Sequence, residues 1–306
     1  MNTELHPAEV LDAYLHVCTD SSAFVDQFVG LADQLEIRGP VLDCAVGTGF
    51  GTIELLQLGH SIVCSDGCAE MLRQFSANSE AAGVPAKPLL LRWNELAYAF
   101  PQVFELILCR GNSLAYADAW DSRVDDPSDF SSLVEHLSGM YGAIKPGGYL
   151  FVDFPVEESP DAVSVRRSVR SGALDDARPV EVVEVIEANR QSGQRVWSVT
   201  MTISESTYAF ERVSRILGAD QLTEALLEAG FSEVRRVPSN DQNLWIPGGR
   251  TFPDDDRRSH RNLIKTSVGA LAGRHAHAHG STRRPGPERG RWRCRHGSVA
   301  ARRDRP

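Results

Sequence analysis

The chain has 306 residues, 42% of them hydrophobic, and a formal net charge of −9. That leaves room for one large domain with appendages. It excludes a membrane-spanning helix, because no apolar run approaches the ~20 residues a bilayer needs. Residues 1–10 lack the basic region of a signal peptide, so the expected location is cytoplasmic, with no membrane partner. Six cysteines occur, with Cys64 and Cys68 four apart and no second pair at zinc spacing. Neither a metal site nor a disulfide framework is expected. Ten arginines against Glu288 and Asp304 give residues 274–306 a charge of +8, which leaves −17 on the rest. An acidic body of this kind disfavours nucleic acid as a partner.

In chain order, residues 1–38 read as two helices, with Val10, Leu11, Tyr14 and Leu15, then Phe24, Val25, Phe28, Leu31 and Leu35 at three-to-four spacing. Thr19-Asp20-Ser21-Ser22 breaks them and supplies an N-cap. This pair is expected to act as a lid, and Tyr14 belongs either to its packing or to the ligand. Val41-Leu42-Asp43-Cys44-Ala45-Val46-Gly47-Thr48-Gly49-Phe50-Gly51 then reads as a buried strand turning into a helix over residues 52–58. Glycine lets a ligand approach the backbone, and the helix start presents free N–H groups. Residues 61–66 form a second strand ending in Asp66, placed either to accept from ribose hydroxyls or to cap the helix over 69–82.

A third strand spans 87–91, followed by Arg92-Trp93-Asn94. A fourth spans 104–109, followed by Arg110-Gly111-Asn112-Ser113. A helix over 128–144 is stopped by Lys145-Pro146-Gly147-Gly148, and a fifth strand covers 149–154. Alternating strands and helices predict an α/β fold, a doubly wound and mostly parallel sheet. Its ligands sit beyond the carboxyl ends of the strands.

After Pro155 the period changes. Residues 179–188 and 194–206 alternate as strands, 208–217 is a candidate third, and the whole 155–217 stretch reads as an antiparallel insertion on the substrate side. A helix over 219–229 and a strand over 232–237 close the main domain, residues 39–240. Residues 241–306 read as an irregular to disordered tail. From 274 the composition (rich in Arg, His, Gly and Pro) cannot offset the entropy of ordering and resembles out-of-frame translation of GC-rich DNA.

The glycine run alone is weak evidence, since a dinucleotide fingerprint wants a third glycine where Thr52 stands. Taken together, "VLDCAVGTG", "SDGCAEML", "LILCRGNSLAY" and "IKPGGYLFVDF" in this order resemble the class I S-adenosylmethionine-dependent methyltransferases. The block Cys109-Arg110-Gly111-Asn112-Ser113 resembles the glycine and sarcosine N-methyltransferase branch. The resemblance implies a Rossmann-like methyltransferase fold with S-adenosylmethionine as cofactor and a small-molecule methyl acceptor. It places the backbone of Gly47, Thr48 and Gly49 against the methionine moiety, with Asp43 either ordering the loop or reaching the cofactor's amino group through water. It places Asp66 on the ribose, Gly67, Met71 and Trp93 around the adenine, and the Cys109 carbonyl on the cofactor's amino group. Asn112 and Ser113 border the acceptor and the methyl, with Asn112 orienting the nucleophile.

Two departures follow from that resemblance. Arg92 stands where the family has an acceptor for the adenine amine, so Asn94 is the expected substitute. No arginine follows the fifth strand to hold a substrate carboxylate, so Arg110 is either its replacement or an ion-pair arginine. No general base stands out among Tyr14, Tyr116 and His136, which favours an amine over an oxygen acceptor. A non-catalytic cofactor-binding module and an NAD(P)-dependent oxidoreductase are the alternatives. Self-association is left open.

Overall fold

A computed structural model of the chain describes residues 6–117, 131–155, 163–174, 177–216, 218–236 and 296–302. The chain divides into two compact units, 1–247 with 295–306 and 248–294, and every described residue belongs to the first. Helix α1 (Pro7–Cys18) starts where Pro7 sets the first turn and the Glu9 side chain accepts from the His6 N–H at 2.7 Å. Helix α2 (Ser21–Gln34) starts at Asp20, whose carboxylate accepts from the Ser22 N–H at 3.0 Å.

The α/β body follows as β1 (Val41–Asp43), α3 (Thr52–Gln57), β2 (Ile62–Asp66), α4 (Ala69–Ala81), β3 (Leu89–Leu90) and α5 (Leu96–Ala99). Then come β4 (Phe104–Cys109), α6 (Ser131–Ala143) and β5 (Ile144–Pro155). Short 3-10 turns occupy Trp93–Glu95 and Ser113–Tyr116. The predicted helix over 128–144 is seen from Ser131, and residues 128–130 lie outside the described set. The strand expected at 149 starts at Ile144.

Strands β6 (Val163–Ala173), β7 (Pro179–Asn189), β8 (Gln194–Ile203) and β9 (Ser206–Arg215) form a separate antiparallel meander. Strand β6, with the sequence Val-Ser-Val-Arg-Arg-Ser-Val-Arg-Ser-Gly-Ala, was not expected. Its two faces carry no clean apolar alternation, because it is an edge strand and pairs on one side only. Helix α7 (Ala219–Glu228) and β10 (Glu233–Arg236) follow.

One expectation is overturned. Within the supposedly irregular 241–306 tail, His296–Arg302 forms β11, which runs antiparallel between β5 and β10. Its sequence, His-Gly-Ser-Val-Ala-Ala-Arg, lacks a strand pattern. The waiting edges of two strands supply backbone partners that local propensity does not record. Residues 241–295 lie outside the described set.

The central sheet has the order β10-β11-β5-β4-β1-β2-β3, with β1, β2, β3, β4 and β5 parallel. Leu42, Ile107, Leu150 and Val152 face Leu133, Leu137, Met140 and Leu226 of α6 and α7. Val41, Leu106, Leu108 and Phe151 point the other way, onto Phe28 and Leu31 of α2. The chain moves outward from β1 to β3 and then crosses to β4, so the sheet's switch point lies between β1 and β4. Crevices at such points receive ligands. Helix α1 takes a different partner from α2: Val10, Ala13 and Tyr14 pack on Val180, Val182, Val199 and Met201 of the meander.

Candidate functional site: a glycine loop held by strand-end carboxylates

At the switch point, Asp43 ends β1 fully buried. Its carboxylate accepts from the Ala45 N–H at 3.2 Å, the Thr52 hydroxyl at 2.6 Å and Arg110 Nε at 2.9 Å. Arg110 also donates to the Thr52 hydroxyl and the Phe50 carbonyl, and its guanidinium lies 3.9 Å from the centre of the Phe24 ring. The threonine that replaces a third dinucleotide glycine is thus the bridge between an acid and a base. Arg110, expected as one option to anchor substrate, is 8% exposed and is committed to the loop. A buried carboxylate demands this charge, and the nearest strand end supplies it.

Asp66 ends β2. Its two oxygens accept from the Gly47 and Cys68 N–H groups, each at 2.9 Å. Burial pushes its pKa up to about 6 against those hydrogen bonds, with the charge of Asp43 adding to the rise. Gly47 has φ +55°, and no atom lies within 4 Å of where a Cβ would stand, so the mouth of the loop is clear for a ligand. From the other side, the Asn78 amide donates to the Thr48 carbonyl at 2.9 Å and to both Asp12 oxygens at 3.1 Å, tying α1 and α4 to the loop. Burial also raises the pKa of Asp12. Neither Asn78 nor Asp12 stood out in the sequence, since each is an ordinary polar residue within a helical pattern.

Around this loop, Met71 is buried and the Arg92 stem runs beside Gly67. The Trp93 indole donates to the Cys44 carbonyl at 2.7 Å, and its ring packs edge-on to His136. Asn94 departs from expectation: its amide donates to Glu135 of α6 at 2.8 Å, in an exposed pair. The 3-10 turn at Trp93–Glu95 rotates successive side chains by about a third of a turn, which separates Asn94 from the face its neighbour occupies.

Across the switch point, Cys109 is fully buried, and burial together with its neighbourhood raises the Cys44 thiol beside it. Gly111 and Asn112, both at positive φ, donate their N–H groups to Asp153 of β5 at 2.9 and 2.7 Å. The Ser113 hydroxyl donates to the Arg110 carbonyl at 2.6 Å. Asp153 thus fixes the loop that carries Asn112 and Ser113. Its position at a strand's carboxyl end was the only available signal.

The meander brings a second polar group. Glu184 of β7, 8% exposed, accepts from Tyr14 at 3.1 Å, Trp197 at 2.8 Å and Ser168 at 3.0 Å. Arg195 of β8 donates to the Tyr116 hydroxyl at 3.1 Å. Tyr14, expected in the lid or at the acceptor, is buried between α1 and the meander, with Trp197 and Phe210 edge-on to it. Sequence reasoning missed Glu184 and Arg195. Each stands on the apolar parity of its strand, Glu184 with Val182 and Ile186 and Arg195 with Val199 and Met201, and that mismatch was legible.

Among the described residues, no group of three or more His, Cys, Asp or Glu is placed to hold a metal, and no helix is long and apolar enough to cross a membrane.

The architecture has solved counterparts. An S-adenosylmethionine-dependent methyltransferase from Clostridium acetobutylicum superposes with a TM-score of 0.61 at 12% identity, over 97% of each chain. The amino pentose methyltransferase CalS10 from Micromonospora echinaspora, solved with S-adenosylmethionine bound, gives 0.55 at 14% identity over 80% of this chain and 98% of its own. The chain has the class I methyltransferase fold. In sequence, a glycine/sarcosine N-methyltransferase from Halorhodospira halochloris is 30% identical over 122 residues. That match covers 39% of this chain and 42% of the relative, so the chain matches less than half the length of this curated relative. No family model matches the chain.

Proposed function

We propose that the protein transfers a methyl group from S-adenosylmethionine to an amine nitrogen of a small-molecule acceptor. The observation that carries this is the glycine loop, clear above Gly47 and held by Asp43 and Asp66 at the switch point of a methyltransferase fold. The similarity to glycine/sarcosine N-methyltransferases and to an amino pentose methyltransferase supports an amine acceptor.

When bound, S-adenosylmethionine supplies an electrophilic methyl on a sulfonium leaving group. The residues present fit it. The Asp66 oxygens accept from backbone N–H groups of the loop and retain acceptor capacity for a ribose hydroxyl. Gly47, Thr48 and Gly49 present backbone to the amino-acid end, with Asp43 holding their loop rather than touching the cofactor. Gly67, Met71 and Trp93 border the adenine, and the Cys109 carbonyl receives the cofactor's amino group. Asn112 and Ser113, fixed through Asp153 and the Arg110 carbonyl, border the methyl and orient the nucleophile.

The work left to the chain is alignment and exclusion of water, which in favourable cases lowers a barrier by ~7–11 kcal/mol. Proton removal is the discriminating point. An alcohol acceptor needs a general base. Burial raises the pKa of both the Tyr14 and Tyr116 phenols, which disfavours their phenolate forms at neutral pH. His136 packs against Trp93 on α6. An amine needs less, since it loses its proton to solvent before it binds.

The test is release of S-adenosylhomocysteine with matched panels of primary and secondary amines and their alcohol analogues. Turnover confined to amines is expected. Turnover confined to alcohols, or cofactor binding with no turnover on any acceptor, contradicts the proposal.

A further inference from the structure

Resting on the methyl-transfer reading, the meander carries information about the acceptor. Arg195 is 8% exposed, and one of its terminal nitrogens, Nη1, donates to Tyr116. Its Nε is buried and has no hydrogen-bond partner. No carboxylate among the described residues pairs with it. Glu184, on the same face of the meander and of opposite charge, does not neutralise it, because the Glu184 oxygens are taken by Tyr14, Ser168 and Trp197. In register, Arg195 lies opposite Ala188, four residues along β7 from Glu184, a separation of about 13 Å along a strand. Trp197 stands between the two.

A buried guanidinium without an anion is costly, and a charge retained in such a place is characteristic of a binding site. The location agrees with this. Tyr116, the partner of Arg195, closes the 3-10 turn that begins at Ser113, directly after Asn112. Its ring lies 6.4 Å from that of Trp197.

We infer that Arg195 receives a carboxylate carried by the methyl acceptor. The Nη1 edge is spent on Tyr116, which leaves Nε–H and the adjacent Nη2–H as a side-on fork. That fork matches the two oxygens of a carboxylate. Tyr116 orients the guanidinium, and Glu184, which accepts from three neutral donors, holds Trp197 and Tyr14 in place rather than folding onto Arg195. The anion anchor thus comes from the meander and not from the end of β5 or from Arg110.

The experiment compares wild type with Arg195→Gln and Arg195→Lys, all loaded with S-adenosylhomocysteine. The probes are acetate, sarcosine and 4-aminobutyrate, with N-methylethanolamine as the uncharged-end control. At least one carboxylate is expected to raise the melting temperature of the wild type. Arg195→Gln is expected to lose that rise, Arg195→Lys to keep part of it, and the control to act alike on all three. S-adenosylhomocysteine affinity should stay unchanged in both variants, which separates loss of the anchor from loss of the fold. An equal response to carboxylates in Arg195→Gln, or no response to any of them in the wild type, overturns the inference. If Arg195→Gln does not fold, a lysine variant with wild-type response overturns it instead. The two readings fail separately. A carboxylate response that needs Arg195 but accompanies no turnover contradicts methyl transfer and supports the anchor. Turnover on amines that ignores both the carboxylate and Arg195 does the reverse.

Discussion

Asp43, Asp66 and Asp153 each stand at the carboxyl end of a parallel strand and each accepts backbone N–H groups of a loop. Asp43 has a cation partner in Arg110, so Arg110 is where its loop is most vulnerable. Arg110→Met removes the charge, and with it the guanidinium over Phe24, while keeping an unbranched side chain. It leaves a fully buried carboxylate uncompensated, at an expected cost of roughly 3–5 kcal/mol in urea unfolding. A loss under about 1 kcal/mol would show that Asp43 does not need it.

Asp66 makes a prediction about pH. Its pKa is about 6 when folded against an ordinary value of 3.8, so the folded state binds the extra proton between those limits. Its contribution to ligand-free stability is therefore greatest below about pH 4, declines as pH rises to about 6, and is flat above. Cofactor affinity runs the other way, because a protonated carboxyl is a poorer acceptor for ribose hydroxyls. Affinity should be level above pH 7 and fall by up to about tenfold per unit below pH 6. Calorimetry at pH 5 and 7.5 checks this, and equal affinity at both contradicts it. At this scale, Asp43, Gly47, Gly49 and Asp66 were legible because strand, glycine and acid fall at fixed separations. Arg110 and Asn94 were not, because the direction of a side chain leaving a turn is set by tertiary partners, here Asp43 and Glu135.

Among the elements, the loop between β1 and α3 separates two uses of glycine. Gly51 has φ +75°, and a Cβ there would overlap the Phe24 ring of α2. Gly51→Ala is expected to destabilise by about 2–4 kcal/mol through strain and overlap. Gly47→Ala meets no protein atom and should cost folding only about 1–2 kcal/mol, while weakening cofactor binding more than it weakens the fold. Parallel thermal melts and calorimetry distinguish them, and equal effects of both variants on both readouts would contradict the division.

Strand β11 offers a second test. Deleting residues 274–306 removes it and leaves β5 without a partner along its 149–155 edge. The melting temperature should fall by at least about 5 °C, equivalent to roughly 2 kcal/mol at this size, with association through the bared edge. An unchanged melt and an unchanged mass in light scattering would show that the strand is dispensable. Strands β1, β2 and β4 were legible from buried apolar runs. Strands β6 and β11 were not, since an edge strand and a strand captured between two waiting edges owe their form to partners distant in sequence.

For the molecule as a whole, the four motif blocks specify the donor half: a parallel sheet, its switch point and a glycine cradle. They say little about the acceptor half. On the proposed reading the groups there, Tyr116, Glu184, Trp197 and Arg195, come from a turn and two strands of the meander that only pairing register brings together. On that reading donor recognition is local in sequence, whereas acceptor recognition is assembled across about eighty positions, from Tyr116 to Trp197.

The donor half, with Asp66 at its centre, is therefore tested first. Calorimetric titration of S-adenosylmethionine into the wild type and Asp66→Ala at pH 7.5 measures it. One site per chain is expected, weakened by about 1.5–3 kcal/mol in the variant, the scale of hydrogen bonds to a charged group, with no heat from NAD under the same conditions. Binding of NAD in place of S-adenosylmethionine, or the same S-adenosylmethionine affinity in both proteins, would contradict the assignment of this loop.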